Sequence, residues 1–457
     1  MTTIPHPLAS AARARPSHPA LISAGWSLTY AELATAAARK AAALKERGVR
    51  PGDRVVLLGG PSQQWIAAFH AVSWLGAVAA PLSPSLTPDE LRRALTILTP
   101  ALTLYAPEDL SGDQREALTG LPSDSLSVSG VEAAPERDWP LEEVRLTVMS
   151  SGTTGAPRPI DLTGAQLTFS AFGSAMRLGH DPADRWLCCL PLNHVGGLSI
   201  LLRCALYGTT VALHDRFDPA AVARALDRGD ASLVSLVPAM LAAVLDAREA
   251  RPFPTSLRAV LLGGGATPEA LIERCRVIGA PVAITWGMTE AASQLATRAP
   301  GDLSPGGHVG AAMPFARVTA EGGLLTVEGP VAPGGRMVTR DRGAVDDEGR
   351  VQVHGRSDDV IISGGENIDP AEVEAVLEDH EAVSEAAVVA RADARWGQRP
   401  VAWLVSAPGA DRPNPEALAD WCRERLLGFK VPDAFEWATS LPRTELGKVS
   451  RSTLRGS

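Results

Sequence analysis

Cysteine is scarce and unpatterned in this chain. The five cysteines (Cys188, Cys189, Cys204, Cys275, Cys422) are scattered, with no C-x-x-C pair and no histidines at zinc-site spacing. This excludes a disulfide framework and a structural zinc site, and the expectation is reduced thiols in a cytoplasmic protein. Blocks of like charge are missing as well. With a formal net charge of −9 and no basic cluster, neither nucleic acid nor an anionic membrane is the expected partner, because both are met by basic surfaces. The opening "MTTIPHPLASAARARPSHPA" lacks the apolar run of a signal peptide, so export is not expected.

A clean membrane span is also lacking. Residues 55–88 contain no Asp, Glu, Lys or Arg, but His70, Gly76 and Pro81 interrupt "WIAAFHAVSWLGAVAAPL", and "DRVVLLGGPS" before it reads as strand then turn. A buried helix followed by a buried strand accounts for the segment better than a bilayer crossing. Lysine is rare too: four residues (Lys40, Lys45, Lys430, Lys448) against 39 arginines. Each lysine therefore invites a reason.

What is present is alternation. From residue 50 to about 290, short strand-like runs ("DRVVLL", "RWLCCLP", "TVALH", "SLVSLV", "LRAVLL", "PVAITW") alternate with helical segments at 62–76, 197–207, 218–228 and 267–278. That order predicts an α/β fold of mostly parallel, helix-covered sheets, with ligands at the carboxyl ends of the strands. Residues 302–355 are glycine-rich and strand-like, and predict a small β-rich subdomain. After Arg356, an Asp369–Pro370 helix start, strands at 384–390 and 401–406 and a helix at 414–426 predict a separate small α+β domain. The expected division is 1–356 and 357–457. No internal repeat is visible.

Five stretches could carry chemistry. "MSSGTTGAPRPI" follows the strand "EVRLTVM" and precedes a helix; its glycines and hydroxyls suit an anion cradle. It is no P-loop, because the glycine spacing is wrong and no Gly-Lys-Ser/Thr follows. "TWGMTEAAS" puts Thr289 and Glu290 at a strand end, although a Thr-Glu pair alone equally reads as a helix cap. "TRD" at 339–341, "GRSDDVIISGGENI" at the domain junction and "LPRTELGK" near the end complete the set.

In this order and register, over about residue 20 to the end, these stretches resemble the adenylate-forming superfamily of acyl- and aryl-CoA synthetases, non-ribosomal adenylation domains and luciferases. The resemblance implies ATP, Mg²⁺ and coenzyme A, and two steps: a carboxylate displaces pyrophosphate from ATP, then the CoA thiol displaces AMP. It implies that Ser150, Ser151, Gly152, Thr153, Thr154 and Gly155 hold the β- and γ-phosphates. Thr289 would donate to the α-phosphate and Glu290 would bind Mg²⁺. Gly263, Gly264, Gly265 and Trp286 would form the nucleoside site, and Asp341, assisted by Arg356, would accept from the ribose hydroxyls. Lys448 would reach the α-phosphate in the first step only. The small domain would then turn about Asp358, bringing Gly364 and Gly365, with Trp396 and Phe429 nearby, to the CoA. The sequence departs from the family pattern at Ala156 (usually lysine), Pro159 and Arg340 (usually glycine).

Within the superfamily, the short chain, "PLNHVGGLSILLRCALYG" and the small polar wall "GMTEAASQLAT" look most like the o-succinylbenzoate–CoA ligases of menaquinone biosynthesis. That resemblance implies a small-molecule dicarboxylic substrate, with His194 opening a pocket-lining loop; because burying the second carboxylate unpaired would cost several kcal/mol, Arg203 or Ser293 is the expected partner for it. For Arg203 an exposed position on the helix fits the sequence equally well. A benzoate-type or medium-chain acyl-CoA ligase and a non-catalytic nucleotide-binding member of the fold are the competing readings. A non-ribosomal adenylation domain is disfavoured, because it would normally sit beside a carrier domain with a phosphopantetheine serine and none is visible. Superfamily members are often homodimers, but no segment here identifies an interface.

Overall fold

The computed structural model describes residues 2–150, 158–249, 251–357, 359–363, 366–393, 396–444 and 447–455. Ser151, Gly152, Thr153, Thr154, Gly155, Asp358, Gly364 and Gly365 therefore lie outside the described residues.

The described strands form four sheets of two, six, thirteen and five strands. In the six-stranded sheet, Arg54–Leu58 runs parallel to Val78–Leu82 and to Leu102–Tyr105. Val55 to Leu58 are all fully buried, as expected for a strand covered by helices on both faces. The helix Gln63–Trp74 is capped by Ser62, whose side chain accepts from Trp65 N–H. Every residue from Trp65 to Trp74 is buried, so the charge-free stretch is interior. Among the described residues no helix is long and apolar enough to cross a membrane.

The thirteen-stranded sheet carries the parallel run Arg185–Cys188, Leu233–Leu236, Ala259–Leu262 and Val282–Met288. The strands of the β-rich stretch continue this sheet. The antiparallel strand Ser293–Thr297 pairs with Val282–Met288 and then with His308–Ala312, so residues 308–356 extend the same hydrogen-bonded sheet. One lattice thus holds the carboxyl end of the parallel strands and the antiparallel pair Arg336–Val345 and Arg350–Arg356.

Residues 361–455 build a five-stranded sheet with its own core, including Ile361, Ile368, Val373, Leu377, Val388 and Leu418. The helix Pro370–Glu378 starts as the sequence predicts: Asp369 Oδ1 accepts from Ala371 N–H at 3.1 Å. The helix predicted to run to 426 ends at Arg423. Val383–Asp393 is an edge strand, and two of its outward N–H groups are closed by carboxylates four residues apart on that first helix. Ala386 N–H donates to Glu378 Oε1 at 3.1 Å and Val388 N–H to Glu374 Oε1 at 2.7 Å. Burial pushes both carboxyls up, Glu374 to about 7, although Arg451 Nη2 donates to both its oxygens at 2.6 and 2.7 Å.

Candidate active site

Four elements converge where the parallel strands end. The strand Val144–Ser150 and the strand Arg158–Thr163 are paired, Ser150 opposite Arg158. From there Arg158 Nη2 reaches Glu290 Oε1 at 2.8 Å. Glu290 lies in the 3₁₀ turn Thr289–Ala291 directly after Val282–Met288. Its backbone is fixed from behind: Gln166, of the Thr163–Gln166 capping box, donates Nε2 to Glu290 O at 2.8 Å. The turn stores strain, with Ala292 at φ 55° and Ser293 at φ 117°, conformations that persist only where the surroundings enforce them. Gly287 is part of that enforcement, because a Cβ there would overlap Ser293 O.

The second element is the antiparallel pair. Trp286 Nε1 donates to Asp341 Oδ2 at 2.7 Å, both residues being buried. Asp341 N–H donates to Thr339 Oγ1 at 3.1 Å, and the Thr339 hydroxyl donates to Leu325 O at 2.7 Å. Arg356 faces Asp341 across the pair, Nη1 to Oδ1 at 3.7 Å. Arg340, where the family has glycine, takes an ordinary outward strand position between buried Thr339 and Asp341.

The third element is Gly263, Gly264 and Gly265, directly after Ala259–Leu262. A Cβ on Gly263 would lie 2.7 Å from Thr285 Cγ2; Gly264 has φ +84°, the region that favours glycine; a Cβ on Gly265 would meet nothing within 4 Å. The first two glycines answer to packing, and the third borders open space.

Lys448 comes from the small domain. Its loop is closed by Thr444 N–H to Lys448 O and Gly447 N–H to Thr444 O, both 2.8 Å, and Arg443 spans it by donating to Gly447 O at 2.8 Å and Glu385 Oε2 at 2.6 Å. Lys448 Cε comes within 3.8 Å of the Cβ position of Gly264. The side chain is open to water but surrounded by protein in the cleft. Desolvation, then Arg356, lowers its pKa, while Asp341 and Glu290 oppose that shift. The terminal lysine, Glu290, Asp341 and Arg356 thus share one cleft although they lie as much as 158 residues apart.

Other sequence candidates lie differently. His194 is the half-buried residue at the start of the helix Val195–Tyr207, with Nε2 3.4 Å from Asn193 Nδ2. Arg203 is nine residues further on the same helix, so about 13 Å along its axis and on the opposite side from His194. It is not exposed, which corrects one of the two sequence readings: at 1% exposure it lies over the Trp186 ring at 5.2 Å, and its Nε and Nη2 have no hydrogen-bond partner among the described residues. Ser293 begins the strand after the strained turn. Trp396 is exposed between the two long strands of the small domain, its N–H donating to Asp393 Oδ1 at 2.7 Å, while Phe429 packs on that domain's core.

Sequence reasoning missed Arg158, Gln166 and Gly287. The Thr163-x-x-Gln166 spacing was a readable capping-box signal, and the glycine in "WGMTE" marked a close backbone approach. A Mg²⁺ ion fits what is present. The Glu290 carboxylate stands at the strand end near Lys448, and Mg²⁺ is usually carried by one or two carboxylates together with substrate phosphates.

Comparison with known proteins gives the geometry a family. A model of the AMP-binding enzyme family matches residues 8–343, and one of the AMP-binding enzyme C-terminal domain matches residues 372–448. The 2-succinylbenzoate–CoA ligase of Geobacillus kaustophilus is 38% identical, over 100% of this chain and 98% of its own length. The o-succinylbenzoate CoA synthetase of Bacillus subtilis superposes with a TM-score of 0.89 in complex with the acyl-adenylate intermediate OSB-AMP (34% identity, 100% of this chain and 99% of that one). With ATP and magnesium ion the TM-score is 0.90 (33% identity, 99% and 100%). A double mutant of that synthetase bound with its product analogue OSB-NCoA superposes less well, at 0.74 (34% identity, 100% and 99%). The full-length agreement in sequence and fold places this chain in the AMP-binding enzyme family.

Proposed function

We propose that this protein is an ATP-dependent 2-succinylbenzoate–CoA ligase, forming 2-succinylbenzoyl-CoA, AMP and pyrophosphate through an acyl-adenylate. The observation that carries the reading is Lys448, brought from the end of the chain to Gly264 and into the field of Glu290 and Asp341. Full-length relatives bearing that activity support it.

In the first step the aliphatic carboxylate of the substrate attacks the α-phosphorus of ATP and pyrophosphate leaves. Two anions must approach, so the cleft has to supply cations and oriented donors. Lys448 and Arg356 supply charge, Thr289 a hydroxyl, and Ser150 with the following hydroxyl- and glycine-rich residues the cradle for the leaving phosphates. Asp341, oriented by Trp286, receives the ribose hydroxyls, and the open side of Gly265 receives the base. Glu290 would hold Mg²⁺, whose charge neutralises the phosphates; Arg158 keeps that carboxylate in place. In the second step the CoA thiol attacks the acyl carbonyl and AMP leaves with the bonding electron pair. Lys448 must first withdraw, and a turn of residues 359–457 about Asp358 accomplishes this and brings the Gly364–Gly365 segment and Trp396 to the thiol's approach. The better superposition on the ATP and adenylate complexes than on the product-analogue complex supports reading the present arrangement as that of the first step.

The second carboxylate of the substrate cannot be buried without a partner, since that would cost several kcal/mol. Arg203 suits this role, being buried with two unpartnered guanidinium nitrogens; Ser293, beside the Glu290 turn, is the alternative donor, and His194 lines the entrance. Five free, buried cysteines fit a cytoplasmic enzyme.

The test is pyrophosphate release and thioester formation with ATP, Mg²⁺ and CoA, comparing 2-succinylbenzoate with benzoate, 4-chlorobenzoate, octanoate and acetate. Preference for 2-succinylbenzoate by orders of magnitude in kcat/KM is expected. Preference for a simple benzoate or fatty acid would leave the mechanism standing and overturn the substrate.

A further inference from the structure

Among the described residues an ion pair crosses between the two parts of the molecule beside the ribose-facing residues. Arg342, on the Arg336–Val345 strand, reaches Asp369 at the start of the small-domain helix Pro370–Glu378, Nη1 to Oδ2 at 3.2 Å. The docking place is specific. In the antiparallel pair, Asp341 faces Arg356 and the next rung sets Arg342 against Gly355. Asp369 sits over that second rung: a Cβ on Gly355 would come 3.1 Å from Asp369 Oδ1, and Gly355 has φ +135°. The small-domain helix therefore docks one rung from Asp341.

The same helix is tied to the Lys448 loop. Glu374 lies one turn into it and binds Arg451, three residues after Lys448. Ile368 and Val373 belong to the small-domain core, so Asp369 and Lys448 move as parts of one body. Gly447 meets the large domain near Val237, 3.3 Å from a Cβ position, and Arg342–Asp369 is the charged contact at the helix end. A turn of the small domain that withdraws Lys448 also separates this pair.

We propose that Arg342–Asp369 is a positioning contact that selects the domain arrangement in which Lys448 occupies the cleft, and that it opens for the thioester step. This rests on the two-step reading above. The side chains are 39% and 16% exposed, and a pair screened to that degree biases a two-state equilibrium by about threefold to fivefold. The effect is therefore modest and confined to one half-reaction.

Asp369→Asn tests it, because asparagine caps a helix as well as aspartate while the charge is removed. In single-turnover assays, adenylate formation should slow about threefold to fivefold with little change in KM for ATP. Thioester formation from preformed acyl-adenylate and CoA should be unchanged or faster. Arg342→Gln should behave like Asp369→Asn, Arg342→Lys should restore adenylation, and the double variant should be no worse than either single one. Equal slowing of both half-reactions, or of neither, overturns the proposal. A second readout needs no turnover: spin labels on Ser129→Cys and Asp411→Cys, both exposed against five buried native cysteines, report interdomain distance. With ATP bound, Asp369→Asn should populate a second distance at the expense of the first; identical distributions in variant and parent overturn the proposal whatever acid the enzyme uses.

Discussion

Replacing Gly265 with alanine should move stability and nucleotide binding in opposite directions. Among the described residues, its two chain neighbours apart, no atom lies within 4 Å of the added Cβ, and the residue's φ lies outside the left-handed region. A glycine-to-alanine change at a compatible position stabilises by about 0.4–1 kcal/mol, through a less free unfolded chain. The melting temperature should therefore hold or rise. If the adenine base lies against this backbone, however, the methyl group intrudes on it. Overpacking a close contact costs about 1–3 kcal/mol, which is roughly a 5- to 150-fold rise in KM for ATP. The internal control is Gly263→Ala, whose Cβ would sit 2.7 Å from Thr285 Cγ2; it should lose stability as well as activity. Thermal melts and pyrophosphate release at varied ATP and fixed acid separate the two. A Gly265→Ala enzyme with unchanged KM for ATP would refute the reading of this edge as the wall of the base site.

Further outcomes follow from the same geometry. Lys448→Ala should slow adenylate formation about 10²- to 10³-fold, the usual loss when one oriented charge-stabilising group is removed. Thioester formation from preformed adenylate should stay within a few-fold (~3) of the parent; parallel losses in both steps would contradict a first-step role. Trp286→Phe removes a donor to a buried carboxylate, worth about 1.5–3 kcal/mol, so KM for ATP should rise about tenfold to a hundredfold while that for the acid holds. Arg203→Met should raise KM for 2-succinylbenzoate strongly and leave that for ATP nearly unchanged; equal changes would assign Arg203 to packing. Acid should destabilise the fold through two interior histidines. Burial, helped by His70 and nearby arginines, holds His6 at about 3, and burial holds His70 at about 4, against an ordinary 6.5. Both are neutral when folded and take up protons when unfolded, so stability is full above pH 6.5 and falls as pH drops toward 4 and 3. A melting temperature that stays level between pH 7 and pH 5 would contradict this.

Much of this arrangement was legible in the sequence, for identifiable reasons. Strands such as Arg54–Leu58 and helices such as Gln63–Trp74 carried the β-branched runs and apolar faces that mark them. Asp369–Pro370 announced its helix through cap chemistry. The scarcity of lysine was informative too. Lys448 enters the cleft, and Lys430 pairs with Glu372. Lys40 is buried, donating to Gln64 Oε1 and to the Leu126 and Val128 carbonyls. The continuity of the large sheet was not legible, because the turn that joins its two parts uses Ala292 and Ser293 at positive φ, where sequence patterns lead one to expect glycine or asparagine. The burial of Arg203 could have been read: its helix is apolar on every face, and a lone arginine within such a helix is enclosed with it. The Arg342–Asp369 contact joins residues from two independently packed bodies, and no local pattern encodes such a meeting.

The two glutamates along the Val383–Asp393 edge bear on how such an enzyme survives at high concentration. An unpaired strand rim is a template for another chain's strand. Because Glu374 and Glu378 already occupy the N–H groups of Val388 and Ala386, a second molecule would have to displace a hydrogen-bonded carboxylate before it could add a strand. Glu374, which also binds Arg451 beside the lysine loop, and Glu378 therefore act as a guard against runaway self-association.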